Sequence, residues 1–276
     1  MTILHQLPAQ NTKVGGFSVR RLLPKAKCRK VGPWVFLDHF GPTSQLVSTD
    51  QDVGAHPHSG LSTVTWLFEG AMMHRDSLGS EARVEPGGIH WMRAGHGIQH
   101  SERVPRDRVG QRHTIHGLQL RCAHPDGEEE QEPAFGSWPD LPELDVEGAR
   151  VQLLCGTGWG QQSPVDITSP LVFAICHLRD GQSIALPDHA ERCAYPVAGA
   201  IAVDGHAAQS NEMLVFSQSA QRLQAIGDAV VVLLGGAPIG ERHFWSNLIH
   251  SDPARLKEQA ERWYRGEFPP IPNDLA

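Results

Sequence analysis

Between Ala55 and Glu102 the chain places two clusters of nitrogen and oxygen donors, His56-Pro57-His58 and His100-Ser101-Glu102, at the ends of alternating apolar and polar sequence broken by glycines. Two donors with one residue between them share a side only where the backbone is extended, because successive side chains of a strand point to opposite faces. Pro57 favours that geometry, since proline fixes its own φ in the extended range and biases the preceding His56 away from helix. The same parity applies to His100 and Glu102. Between the pairs, Leu61-Ser62-Thr63-Val64-Thr65-Trp66-Leu67-Phe68 is rich in β-branched and aromatic residues and ends at Glu69-Gly70, which reads as a strand and a turn. Three imidazoles and one carboxylate on two extended segments suit a divalent first-row metal on a β-barrel. On ligand type alone, iron, manganese, nickel, copper and zinc all fit. A lone His-x-His pair would be a weak signal among 16 histidines, because a half-exposed polar strand face produces such pairs without any metal.

The surrounding sequence strengthens it. Val84-Glu85-Pro86-Gly87-Gly88-Ile89-His90-Trp91-Met92 is a tight turn followed by a strand. The order His-x-His, strand, turn, strand, Pro-Gly turn, strand, His is that of a cupin. The segments His56-Pro57-His58-Ser59-Gly60 and Gly95-His96-Gly97-Ile98-Gln99-His100-Ser101-Glu102 closely resemble the pirin family, as does Phe36-Leu37-Asp38-His39-Phe40-Gly41-Pro42. Phe244-Trp245-Ser246-Asn247 resembles the pirin ending, so the likeness is strong over the first half, present near the C-terminus and architectural between. It implies an all-β fold of two cupin-type β-barrels, a bicupin, with one metal in the first barrel. The family's metal positions fall on His56, His58, His100 and Glu102, and its metal implies Fe(II) here. Some members oxidise flavonols such as quercetin. One departure is Ser62, where pirins commonly carry a glutamate that is not a ligand; it puts an outer-sphere role at that position in doubt.

A chain of 276 residues can form two domains, each with its own core. With 28 glycines and 20 prolines and few helical patterns, many short strands joined by turns are expected. The strand Thr114-Ile115-His116-Gly117-Leu118-Gln119-Leu120-Arg121 completes the first barrel, and the acidic, proline-flanked run Pro125–Pro133 reads as a solvated connection. The expected division is a metal-binding barrel over 1–130, an acidic linker over 131–145, a second barrel over 146–240 and a helical tail over 241–276. In the tail, Ser251-Asp252-Pro253 supplies an N-cap and a first-turn proline, and Leu256, Ala260 and Trp263 recur at helical spacing as far as Gly266. The second barrel reads as a worn copy: Tyr195-Pro196-Val197-Ala198-Gly199 parallels Trp66-Leu67-Phe68-Glu69-Gly70. Aligning the copies puts Ala185, Pro187, Gln224 and Ile226 where the four donors stand, so a single metal per chain is expected.

A formal charge of −7 argues against direct nucleic-acid binding through a broad basic face. Five cysteines without a C-x-x-C pair suit a reducing compartment, and neither a leader-like start nor a long apolar run is present, so a cytoplasmic protein away from the membrane is expected. Four protein ligands on a six-coordinate metal leave room for an organic substrate and O2, whereas zinc could be closed by four. In flavonol-cleaving cupins, which this site resembles, the enolic hydroxyl of the substrate binds the metal, loses its proton to a carboxylate and is attacked by dioxygen. Glu102 would then be ligand and base together. The alternative expectation is a non-catalytic metal or redox sensor acting through a protein partner.

Overall fold

Glycine- and proline-rich turns cut the sequence into short β-branched runs, and those runs pair into sheets in a computed structural model that describes residues 2–14 and 17–274. Met1, residues 15–16 and residues 275–276, all inside ranges assigned above, lie outside the described residues. The fold is all-β with a single α-helix among the described residues, in the bicupin arrangement expected. Two compact units divide it.

One unit comprises Asn11–Val19, Asp38–Pro139 and Ile239–Ala276. Its four-stranded sheet has the order Val53–His58, Ile98–Arg103, Met72–Asp76, Glu81–Val84. A seven-stranded sheet runs Ala134–Trp138, Ile89–Arg93, Leu61–Glu69, Arg112–Ala123, Trp34–Leu46, Phe17–Leu23, Gln10–Val14. Side chains from both sheets meet in one apolar cluster: Met72 and Val84 from the first, Val19, Phe40, Leu67 and Ile115 from the second. The acidic run expected to be solvated holds a buried carboxylate, Glu129, because Ser251 donates its backbone N–H to Oε1 at 2.6 Å and its hydroxyl to Oε2 at 3.1 Å. Residues 134–138, within the segment expected as a linker, form an edge strand on Ile89–Arg93.

The tail of the chain belongs to this unit. Its helix spans Pro253–Tyr264, capped where expected: Ala254 donates its backbone N–H to the Asp252 side chain at 2.7 Å. Leu256 and Ala260 bury its apolar face with Leu248 and Phe268. The tail lies over the strands that carry the histidines. Ile249 donates to the Ser59 carbonyl at 3.1 Å, the Ser59 hydroxyl donates to Gln259 Oε1 at 2.6 Å, and Gln99 Nε2 donates to the Phe268 carbonyl at 2.9 Å. Glycine is needed at that seam. At Gly60, with φ +70°, a Cβ would stand 1.9 Å from the Ile249 carbonyl oxygen.

The other unit comprises Met1–Gln10, Arg20–Leu37 and Asp140–Pro238. Its main sheet runs Ile3–Pro8, Glu212–Phe216, Glu191–Val203, Arg222–Gly236, Leu171–Leu178, Ala149–Gly158, Glu143–Val146. The first strand pairs far down the chain, with Gln6 opposite Leu214. Val172, Ala174, Phe216, Leu223, Val231 and Leu233 are among the fully buried residues that fill this core.

Candidate metal centre

Antiparallel pairing of Val53–His58 with Ile98–Arg103 sets His100 opposite His56 and Ile98 opposite His58. His56, His58 and His100 therefore converge, with one ring nitrogen from each within 4.8 Å of the others. Their ring centroids lie 4.3 Å apart for His56 and His100, 4.9 Å for His58 and His100 and 5.1 Å for His56 and His58. No other such group of three or more His, Cys, Asp or Glu occurs among the described residues.

These nitrogens fit a metal. His58 Nδ1 and Nε2 and His100 Nε2 are buried without a hydrogen-bond partner, which is costly for a polar atom unless something else binds there. All three imidazoles are pushed toward the neutral form that ligation requires. Burial holds the pKa of His58 well below the ordinary imidazole range, with the Arg121 cation adding to it. His100 is depressed likewise by burial and by the neighbouring His56 and His58. Burial also lowers His56, offset in part by the Glu102 carboxylate. The tautomer of His56 is set locally, because Nδ1–H donates to the Gly54 carbonyl at 2.9 Å and leaves Nε2 as the lone-pair nitrogen.

Glu102 is placed differently. It lies two residues beyond His100 on the same strand, but a register irregularity separates the two, and its carboxylate does not join the three nitrogens at 4.8 Å. It is partly exposed and lines a solvent-open cleft with Gln45, Gln51, Met72, Arg108, His113 and Ile115 among others. Trp66, Trp91 and Met92 are buried and do not line this cleft. Ser62, the departure from the family pattern, pairs with the buried His124: its hydroxyl lies 2.9 Å from His124 Nε2. Phe40 is in the apolar cluster, and His39 Nε2 meets His116 Nε2 at 2.8 Å.

Sequence reasoning missed a second layer. His74 Nδ1 lies 3.5 Å from His100 Nδ1, and His74 Nε2 lies 3.0 Å from Asp76 Oδ2. Phe135 stacks on the His74 ring at 4.3 Å and 11°, and His90, its pKa lowered to about 4 by burial, has its ring 5.9 Å from that of Phe135. A signal was present: His74-Arg75-Asp76 repeats the donor-x-donor parity of His56-x-His58 and His100-x-Glu102, on a third extended segment.

Comparison with known proteins agrees with this arrangement. The family model described as Pirin matches residues 16–121, and that described as Pirin C-terminal cupin domain matches residues 173–269. The chain is 37% identical over 283 residues to a pirin-like protein of Caulobacter vibrioides, covering 96% of this chain and 97% of that one. A crystal structure of quercetin 2,3-dioxygenase from Acinetobacter baumannii superposes with a TM-score of 0.91 at 32% identity, over 99% of this chain and 93% of the other. The fold is shared with a bacterial pirin from Escherichia coli in complex with nickel(II), at TM-score 0.68 and 17% identity, over 85% of this chain and 99% of that one.

Proposed function

We propose, since this chain belongs to the pirin family, that it is a metal-dependent dioxygenase of flavonol-type substrates, with one Fe(II) held by His56, His58, His100 and Glu102. The observation that carries this reading is the convergence of three imidazoles pushed toward the neutral form, with His58 Nε2 and His100 Nε2 buried without a protein partner and the Glu102 carboxylate two residues beyond His100 on the same strand. A quercetin 2,3-dioxygenase with the same fold at 32% identity supports the substrate class. Manganese, nickel, copper or zinc would meet the same donors, and of these zinc lacks the redox chemistry.

When bound, the metal supplies Lewis acidity to an enolic oxygen and a redox partner for O2. The residues do the rest. Glu102 is the one carboxylate in the proposed set, and its partial exposure lets it reach a substrate in the cleft. There it takes the proton from the enolic hydroxyl, while Met72, Val47 and Ile115 offer apolar contact to an aromatic ring and limit the water around it. The three imidazoles stay neutral and keep their lone pairs directed inward. The five cysteines are buried and none is in a disulfide, which supports the proposal that it works in a reducing cytoplasm.

The test is aerobic incubation of Fe(II)-loaded protein with quercetin, following loss of flavonol and of O2 over many turnovers. In Glu102→Gln an amide oxygen remains as a donor but the proton acceptor is gone. Metal binding should then weaken yet persist, and turnover by the metal-replete variant should fall roughly a hundredfold or more, the usual contribution of a general base. Near-normal turnover in that variant removes Glu102 as the base. Tight metal binding without turnover in the parent chain would move the function to a metal sensor acting through a protein partner.

A further inference from the structure

We propose that Asp76 and His74 form a hydrogen-bonded relay that sets the tautomer of His100, and thereby fixes Nε2 as the nitrogen His100 presents to the metal. The inference rests on the metal reading above and adds two positioning residues to it.

The relay follows from which atoms can donate. The strand Met72–Asp76 pairs antiparallel with Ile98–Arg103, setting Asp76 opposite His100 and His74 opposite Glu102. Asp76 is fully buried, and its two oxygens are divided between two tasks. Oδ1 accepts the backbone N–H groups of Leu78 at 2.9 Å and Ser80 at 3.0 Å, and Oδ2 faces His74 Nε2 at 3.0 Å. An ionised carboxylate only accepts, so His74 carries its proton on Nε2. Where the ring carries that one N–H alone, His74 Nδ1 is left as an acceptor. That acceptor faces His100 Nδ1 at 3.5 Å, a long contact that only a proton on His100 makes attractive. His100 is then the Nδ1–H tautomer. Its lone pair lies on Nε2, the atom that is buried without a hydrogen-bond partner and whose ring stands among His56 and His58. Stacking on Phe135 holds the intermediate ring in plane for both contacts. His56 reaches the same end through a backbone carbonyl, so the two ligands are oriented by unlike devices.

The relay can be reversed by one atom. In Asp76→Asn the two backbone donors at Oδ1 hold the amide oxygen where it is, so the new NH2 group occupies the place of Oδ2 and points at His74 Nε2. His74 must accept there and move its proton to Nδ1. Two N–H groups then oppose each other unless His100 also switches, and a switched His100 presents a proton where the metal should bind.

Two measurements test this. In metal-free parent protein labelled with ¹⁵N-histidine, two-bond ¹⁵N–¹H correlation spectra near neutral pH should show His74 as the Nε2–H tautomer and His100 as the Nδ1–H tautomer. The reverse assignment at either residue overturns the relay, whether or not any variant folds. In chelator competition, the Zn(II) affinity of Asp76→Asn should fall by roughly 10–100-fold, the range typical of outer partners of a ligating histidine. The circular dichroism of the metal-free variant should match that of the parent. An affinity within twofold of the parent overturns the proposal. Failure of the parent chain itself to bind Zn(II) would instead strike the metal reading, and the tautomer spectra would still decide the relay.

Discussion

The two units share a cupin-type design and differ in what fills them. In the unit built mainly from residues 140–238, Val151, Leu153, Phe216, Val231 and Leu233 are fully buried in one apolar cluster, and Cys176 within it behaves as another small hydrophobe. In the unit built mainly from residues 38–139, Leu61, Val64, Ile89, Leu118 and Leu120 are as fully buried, and the interior also holds His58, His74, His90 and His100. Burying imidazole is costly without partners, and some of these nitrogens have none in the protein. The comparison teaches that the fold tolerates either filling. One unit uses its interior for stability, and the other gives part of it up to a group of histidines that could hold a metal.

The largest expected effect comes from removing one of those ligands. His100→Ala should take metal content, read by elemental analysis of purified protein, from about one per chain to near zero, a greater loss than the 10–100-fold typical of outer partners. Full retention of metal would end the distinction between the two interiors.

Acid should expose the same contrast without a mutation. Burial lowers the pKa of His90 and His124 to about 4, while an imidazole in the unfolded chain titrates near its ordinary 6.5. The unfolded chain thus takes up protons first, so the stabilisation is complete above about pH 6.5 and is lost as the pH falls toward 4. His124 alone accounts for roughly 3 kcal/mol across that window. Hydrogen exchange on metal-free protein at pH 7 and pH 5 should show protection lost first in Val53–His58, Ile98–Arg103 and Arg112–Ala123. Leu171–Leu178 and Arg222–Gly236 should hold, and simultaneous loss in all five strands would contradict this account.

Ser62→Ala sharpens the comparison at the smallest scale. It removes the hydrogen-bond partner of His124 Nε2 in a ring that is fully buried. The expected cost is about 1–3 kcal/mol in denaturant unfolding, with metal stoichiometry unchanged. A neutral result would mean that His124 finds another partner.

Much of this was legible beforehand where a residue's role is local. The parity of His56-x-His58 around Pro57, the Pro86-Gly87-Gly88 turn and the Asp252-Pro253 helix start all act within a few residues, and the strands, the turns and the helix follow from them. What escaped depends on partners distant in sequence. Gln6 finds its strand opposite Leu214, and Glu129 is buried by Ser251 and not by its acidic neighbours. His74 shows the limit best. Its spacing to Asp76 was visible, but its purpose appears only when strand pairing brings it against His100.

Tail contacts at Ser59, Gly60 and Gln99 also give the order of translation a meaning. On the ribosome, the strands bearing His58 and His100 emerge before residues 140–238, and the tail that seals them emerges after. N-terminal domains ordinarily finish first during synthesis. Here the unit that holds His58 and His100 must wait for the segment from Ile239 onward to acquire its last contacts, while the other unit already has its N-terminal strand waiting when Glu212–Phe216 is made. The three converging histidines are thus spoken early and enclosed late.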